Sequence, residues 1–309
     1  MPGSSASPAE EVAAAVGAAG VGAAPDPLYV TVLTTRQTRL DGGNPIVGLF
    51  RSSDGGLTWS HLGWEQGKAF AVVASAGGDT LVVAQGNGVH RSIDGGEGWR
   101  VLTGWRVTEV QDVALMGERL YAATPYGVWV SEDGGSAWAE RSAGLETPDA
   151  TFVSSVRVDR ERPGRVLIGT EAGLFVSDDG GGRWRPLPLA GPVRSLRQSP
   201  HEARRWAAAL EGRGAAVSED GGLTWRVAGG LPAGTTFYEL EWDPHEVGVL
   251  WGGGWRTGVL RSADLGASWQ GRGAGLPDPS IHGLALPRGR PGVIFAGTLG
   301  EGLFRSGDG

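Results

Sequence analysis

The chain has 309 residues, a formal net charge of −7 and no cysteine. Disulfides, thiolate chemistry and cysteine-based zinc sites are thereby excluded, and the acidic balance argues against nucleic acid, which needs a basic footprint. Glycine supplies 55 residues without a strict triplet period, a composition of short strands and tight turns and not of collagen.

Residues 1–26 are rich in Ala, Gly, Ser and Pro, contain no aromatic side chain, and read as a disordered or linker tail. They carry Glu10 and Glu11 where a secretory signal would place positive charge. The apolar run from Val12 to Ala24 is broken by glycines and is too short to span a membrane. An alternative for this segment is the innermost strand of a first repeat. No other segment is apolar enough to cross a bilayer, and residues 27–309 read as a single domain.

A nine-residue pattern then recurs along the chain. It is RSSDGGLTW at 51–59, RSIDGGEGW at 91–99 and VSEDGGSAW at 130–138. VSDDGGGRW follows at 176–184, VSEDGGLTW at 217–225 and RSADLGASW at 261–269, and the sequence ends on RSGDG. The aspartates (54, 94, 133, 179, 220, 264 and 308) stand 39 to 46 residues apart, a period that signals a repeat architecture.

Each unit carries four short strand patterns bounded by Gly and Pro turns. The third unit shows them in order: VQDVALM, LYAAT, GVWVS and the run after Trp138. Labelled A to D, they predict a four-stranded antiparallel meander with the Ser-x-Asp turn joining C to D. Such sheets are apolar on both faces, and radial packing about an axis buries both. The expected fold is therefore all-β, a seven-bladed β-propeller of four-stranded antiparallel blades.

The turn has a local rationale. Its aspartate accepts backbone N–H bonds of its own turn, and its second glycine takes a positive φ that a Cβ would penalise. The serine two residues earlier supports the turn, and the tryptophan fills the space between blades. The pattern S-x-D-x-G-x-x-W resembles the Asp-box, or BNR repeat, over residues 28–309. That family includes sialidases, xyloglucanases, sortilin-like receptors and photosystem II assembly factors. The resemblance implies that the turns lie on outer C–D hairpins remote from any catalytic site. Six complete copies resemble the seven-bladed and larger members more than the sialidases. Two departures stand out: the first repeat begins at strand B near Leu28, and the last copy stops before its tryptophan and D strand. Either the sequence is a fragment, or Glu11–Ala18 supplies a poor A strand and the last blade stays short.

Loops B–C and D–A share the face opposite these turns, and that face is the candidate binding surface. Aligned A strands give a column of changing residue type: Phe70, Gln111, Ser154, Arg194, Tyr238 and His282. It stands two residues before a fixed apolar position, and the next column is Ala71, Asp112, Ser155, Ser195, Glu239 and Gly283. Variation beside fixed core positions points to the mouth of a central channel. The rim loops add Arg36, Arg39, Trp64, Trp105 and Arg106. They also add Tyr126, Glu171, Arg213, Trp255, Arg256 and Glu301.

Two functions fit this surface. Aromatic and arginine side chains suit a protein or peptide partner, as in a non-catalytic scaffold of the assembly-factor or sortilin-like kind. The alternative is a carbohydrate-active protein, with Trp64, Trp105 and Trp255 as sugar platforms. Hydrolysis would need two carboxylates flanking one bond, and Asp112 with Glu239 is the candidate pair. Arg106, Arg194, Arg213 and Arg256 with Tyr238 imitate a sialidase site, but the Arg-Ile-Pro signature is missing. Tyr238 shares an alternating face with Leu240 and Trp242, which favours a packed tyrosine. No catalytic set is assigned. The five histidines (61, 90, 201, 245 and 282) show no ligand spacing, so neither a metal nor a cofactor is expected.

Overall fold

The computed structural model describes residues 12–18, 27–35, 47–63, 68–75 and 77–309. They form seven antiparallel sheets arranged as the blades of a propeller. Blade 1 is β1 (Val12–Ala18), β2 (Leu28–Thr35), β3 (Gly48–Ser52) and β4 (Ser60–Leu62); blade 2 is β5 (Ala69–Ala74), β6 (Leu81–Gln85), β7 (Gly88–Ser92) and β8 (Arg100–Val101). Blade 3 is β9 (Asp112–Met116), β10 (Arg119–Thr124), β11 (Gly127–Ser131) and β12 (Ala139–Glu140). Blade 4 follows the single-turn helix α1 (Pro148–Thr151) and holds β13 (Val153–Val158), β14 (Val166–Thr170), β15 (Gly173–Ser177) and β16 (Arg185–Ala190). Blade 5 is β17 (Val193–Gln198), β18 (Trp206–Leu210), β19 (Gly214–Ser218) and β20 (Arg226–Val227). Blade 6 is β21 (Phe237–Trp242), β22 (Leu250–Gly254), β23 (Val259–Ser262) and β24 (Gln270–Gly271); blade 7 is β25 (Ile281–Ala285), β26 (Ile294–Thr298) and β27 (Leu303–Ser306). No helix among the described residues is long and apolar enough to cross a membrane.

Two features mark the ends of the ring, and each is one of two alternatives open in the sequence. Within the stretch read as a tail, Val12–Ala18 pairs antiparallel with β2 and supplies strand A of blade 1. Blade 7, by contrast, has three strands among the described residues. Strand β1 lies against β25 and β26, so blades 1 and 7 are neighbours and the ring closes there. The physical reason is burial: without β1 the inner edge of β2 would expose its backbone groups.

Seven apolar clusters hold the ring, one at each boundary between consecutive blades. Tyr121 and Val130 of blade 3 meet Val156 and Ile168 of blade 4, for instance, and Leu28 and Val30 of blade 1 meet Phe295 of blade 7. B strands such as VLIGT and WAAAL are buried along their whole length, because both faces contact a neighbouring blade. The turn tryptophans bridge these boundaries. Trp138 Nε1 donates to the Leu102 carbonyl of blade 2 (3.0 Å), and Trp184 Nε1 donates to the Arg141 carbonyl of blade 3 (2.7 Å).

The Ser-x-Asp turns join strands C and D, and their buried hub is the serine. Ser218 Oγ donates to Asp220 Oδ1 (2.8 Å) and accepts the Gly222 N–H (2.8 Å). Equivalent bonds occur at Ser52, Ser92, Ser131, Ser177 and Ser262. The aspartate sits at the surface and accepts the N–H groups three or four residues on, such as those of Leu223 and Thr224. The second glycine has positive φ in all six complete turns, for example +84° at Gly56 and +81° at Gly222. Leu265 replaces the first glycine in the sixth turn and is held at φ +56°, a strained position for a side chain of its size.

Ser218→Ala leaves the buried Gly222 N–H without an acceptor, and the expected loss of stability is about 1–3 kcal/mol, read from urea unfolding. Asp220→Ala uncovers donors that water can reach, so the expected cost is smaller, about 1 kcal/mol. The turns also set an acid limit. Burial opposes ionisation of Asp220, yet the bonds from Thr224 and Ser218 bring its carboxyl down to about 2. Bonds from Ser268 and Ser262 hold Asp264 at about 2. A depressed folded-state value adds stability above the unfolded value, near 3.8, that is lost as pH falls toward 2. Melting temperature should therefore drop over that interval, and less steeply once Asp264 is replaced by Asn.

Candidate functional site

The antiparallel meander brings the starts of the A strands together with the B–C and D–A loops at one end of the ring. In five blades the A strand has a register shift that leaves one residue outside the ladder. These residues are Phe70, Ser154, Arg194, Tyr238 and His282. A β-bulge of this kind re-aims the extra side chain. In blade 3 the equivalent Gln111 precedes β9, and its N–H donates to the Ala123 carbonyl (2.8 Å). All six line one cavity of about 380 Å³, so the structure brings the predicted column together. Ala71, Asp112, Ser155, Ser195 and Glu239 of the second column line it too, whereas Gly283 does not.

A second cavity of about 390 Å³ lies toward the A–B turns and shares Val72, Arg157 and Arg197 with the first. Sequence reasoning missed Arg157, Arg197 and Glu241. The signal was present, because these residues stand two positions after Ser155, Ser195 and Glu239, and a strand repeats its face every second residue.

Each arginine of the first cavity is engaged by one or two carboxylates. Asp112 accepts from the Arg157 guanidinium, the Ser155 hydroxyl (3.1 Å) and the Val156 N–H (3.0 Å). Arg197 donates to Glu239 (2.7 Å) and Glu241 (2.5 Å). Burial raises the Glu239 carboxyl above its ordinary value, against the opposing charge of Arg197. Arg194 lies between Glu171 and Glu211, bonded to both. Thus Asp112 and Glu239, read as a carboxylate pair, are each engaged by an arginine. Of the four arginines read as a cluster, Arg194 is neutralised by two glutamates.

Tyr238 is not a core residue. The bulge interrupts the alternation that put it on the face of Leu240, and its ring meets the His282 ring at 4.5 Å between centroids. Burial lowers the His282 value, with the Asp278 charge opposing. Ser154 Oγ donates across the blade boundary to the Val193 carbonyl (2.5 Å).

The loop residues stand apart from this lining. Trp105 is 84% exposed, with the Arg106 guanidinium over its ring at 5.4 Å. Trp255 is 51% exposed and precedes Arg256, an exposed residue at φ +56°. The Tyr126 hydroxyl accepts the Thr108 N–H (2.6 Å) and donates to the Thr108 carbonyl (2.6 Å). Arg213 donates to the Ala190 carbonyl, and Glu301 is exposed. Arg36, Arg39 and Trp64 lie outside the described residues.

Fold and channel together define a seven-bladed β-propeller with a charged, aromatic-lined mouth. No protein-family model matches the sequence, and no curated protein matches it. Solved structures do. The GH74 xyloglucanase from Xanthomonas campestris superposes with a TM-score of 0.72 at 18% identity, over 97% of this chain and 52% of its own. The chain therefore spans about half the length of that enzyme. YCF48 from Cyanidioschyzon merolae gives a TM-score of 0.68 at 17% identity, over 97% of this chain and 96% of its own. YCF48 bound to D1 peptide gives 0.65 at 15%, over 99% and 97%. At these identities the likeness shows the fold.

Arg197 is the keystone of the channel charges. Arg197→Met leaves Glu239 and Glu241 facing each other without their bonded arginine, and the expected loss is roughly 3 kcal/mol at neutral pH. Denaturant midpoints check this, and lowering the pH, which protonates the glutamates, should recover part of the loss.

Proposed function

We propose that the protein is a non-catalytic propeller scaffold that binds a protein or peptide partner on the face opposite the Ser-x-Asp turns. The observation that carries this reading is the set of bulged side chains, which converge on one mouth and vary from blade to blade. Packing alone repeats a residue type, as it does at the turn tryptophans. In a D–A loop and a B–C loop, Trp105 and Trp255 expose large aromatic faces next to Arg106 and Arg256, the residue types that dominate binding hot spots. Gln111, Tyr126, Arg194, Arg213, Tyr238 and His282 complete the surface. The pairing of Asp112 with Arg157 and of Glu239 with Arg197 also weighs against a free acid–base couple. Likeness to peptide-bound YCF48 over nearly the whole of both chains supports the same side.

A carbohydrate ligand is the second reading. It is favoured by the exposed indoles of Trp105 and Trp255 and by the raised carboxyl of Glu239. Glycan-array binding, or hydrolysis of a fluorogenic xyloglucan oligosaccharide, would decide for it.

The test of the first reading is a double variant. Arg106→Ala with Trp255→Ala should weaken a partner captured by pull-down by about 2 kcal/mol or more, with melting temperature unchanged. Unaltered binding by the double variant would place the partner elsewhere.

A further inference from the structure

We infer that the channel mouth is a receptor for a basic side chain, an arginine or lysine presented by a peptide; this rests on the peptide-binding reading above. Three independent features of the lining point the same way.

The first is charge. Arg157, Arg194 and Arg197 are the guanidinium groups that line the cavity, and all three are ion-paired. Their partners are five carboxylates: Asp112, Glu171, Glu211, Glu239 and Glu241. Asp112 and Glu239 line the cavity itself, and the other three stand behind or beside its arginines; the ion-paired cluster as a whole carries a negative surplus even with Glu239 protonated. Glu211 is the open end of this set, its side chain 46% exposed. The residue after it, Gly212, donates to the Thr236 hydroxyl (2.9 Å), two positions before Tyr238. An incoming carboxylate would meet these groups with no unmatched arginine to receive it, whereas a cation meets complementary charge.

The second feature is a pair of unused polar atoms. Ser195 is 2% exposed, lines the cavity, and its hydroxyl has no hydrogen-bond partner. His282 lines it too, and its buried Nε2 has no partner either. Buried polar atoms of this kind are costly unless something satisfies them. A neutral imidazole offers one ring nitrogen as acceptor and a serine hydroxyl offers lone pairs, while a guanidinium brings five N–H donors and no acceptor. Donor-rich ligand and acceptor-rich mouth are complementary.

The third is the aromatic pair. Tyr238, tilted 40° against His282, contributes a ring face at the same mouth. Such a face attracts a planar cation.

The probes are fluorescein-labelled hexapeptides identical except for a central arginine, lysine, citrulline or glutamate, followed by fluorescence anisotropy with the full chain. Citrulline keeps the shape of arginine and removes its charge. The arginine or lysine peptide should bind roughly tenfold tighter than the citrulline peptide, with the glutamate peptide weakest. Ser195→Ala and Glu211→Gln should each narrow that preference several-fold. Ser195→Ala removes an atom without a partner, so its melting temperature should be unchanged, which separates lost recognition from lost folding. Equal binding of the arginine and citrulline peptides, preference for glutamate, or no binding of either basic peptide at roughly 10 mM would overturn the inference. Capture of a partner through Trp255 and Arg106 would then still stand. Retained arginine preference in a protein whose rim variants capture normally would sink the rim reading and leave this one intact.

Discussion

Everything in this molecule depends on each sheet having two apolar faces and no way to cover them alone. A four-stranded sheet with buried B strands such as WAAAL is unstable in isolation, and radial stacking supplies the missing neighbour on both sides. The seven boundary clusters are the direct consequence, and the cluster joining Leu28 and Val30 to Phe295 shows that the stacking closes on itself. Closure also explains why an Ala-rich, weakly patterned segment such as Val12–Ala18 becomes a strand: the inner edge of β2 requires a partner.

Much of the fold was legible in the sequence, because the turn between strands C and D writes several constraints into nine residues. The positive φ of Gly56 and Gly222 and the bridging roles of Trp138 and Trp184 follow from the pattern. The hierarchy inside the turn was less legible. Asp220 is the more eye-catching residue, but Ser218 is the buried one and closes the turn from within. The difference is one of solvent access, which a pattern of letters does not encode. The strand role of Val12–Ala18 stood only as an alternative to a tail, since its strand character comes from the edge it covers and not from its own composition.

The site was legible as a position and not as a chemistry. Aligning the A strands found six of the side chains that converge on the mouth. It missed Arg157, Arg197 and Glu241, which are visible once the alternation is carried one step further along each strand. Charge compensation was the larger omission. Arg194 reads in the sequence as a free cation, and only the fold places Glu171 and Glu211 on either side of it.

The bulges carry a consequence for how such a protein changes over time. A residue that stands outside the ladder contributes no inter-strand pairing, so its replacement is felt little by the sheet that carries it. Phe, Ser, Arg, Tyr and His occupy this one position in five blades of the same ring. Replacement there leaves the ladder intact, although Ser154 and Arg194 carry bonds of their own, while the neighbouring Val72, Val156 and Leu240 are tied to the packing. The propeller thus separates the residues that keep its ladders paired from those that stand outside them, one in each of five blades, around a common opening.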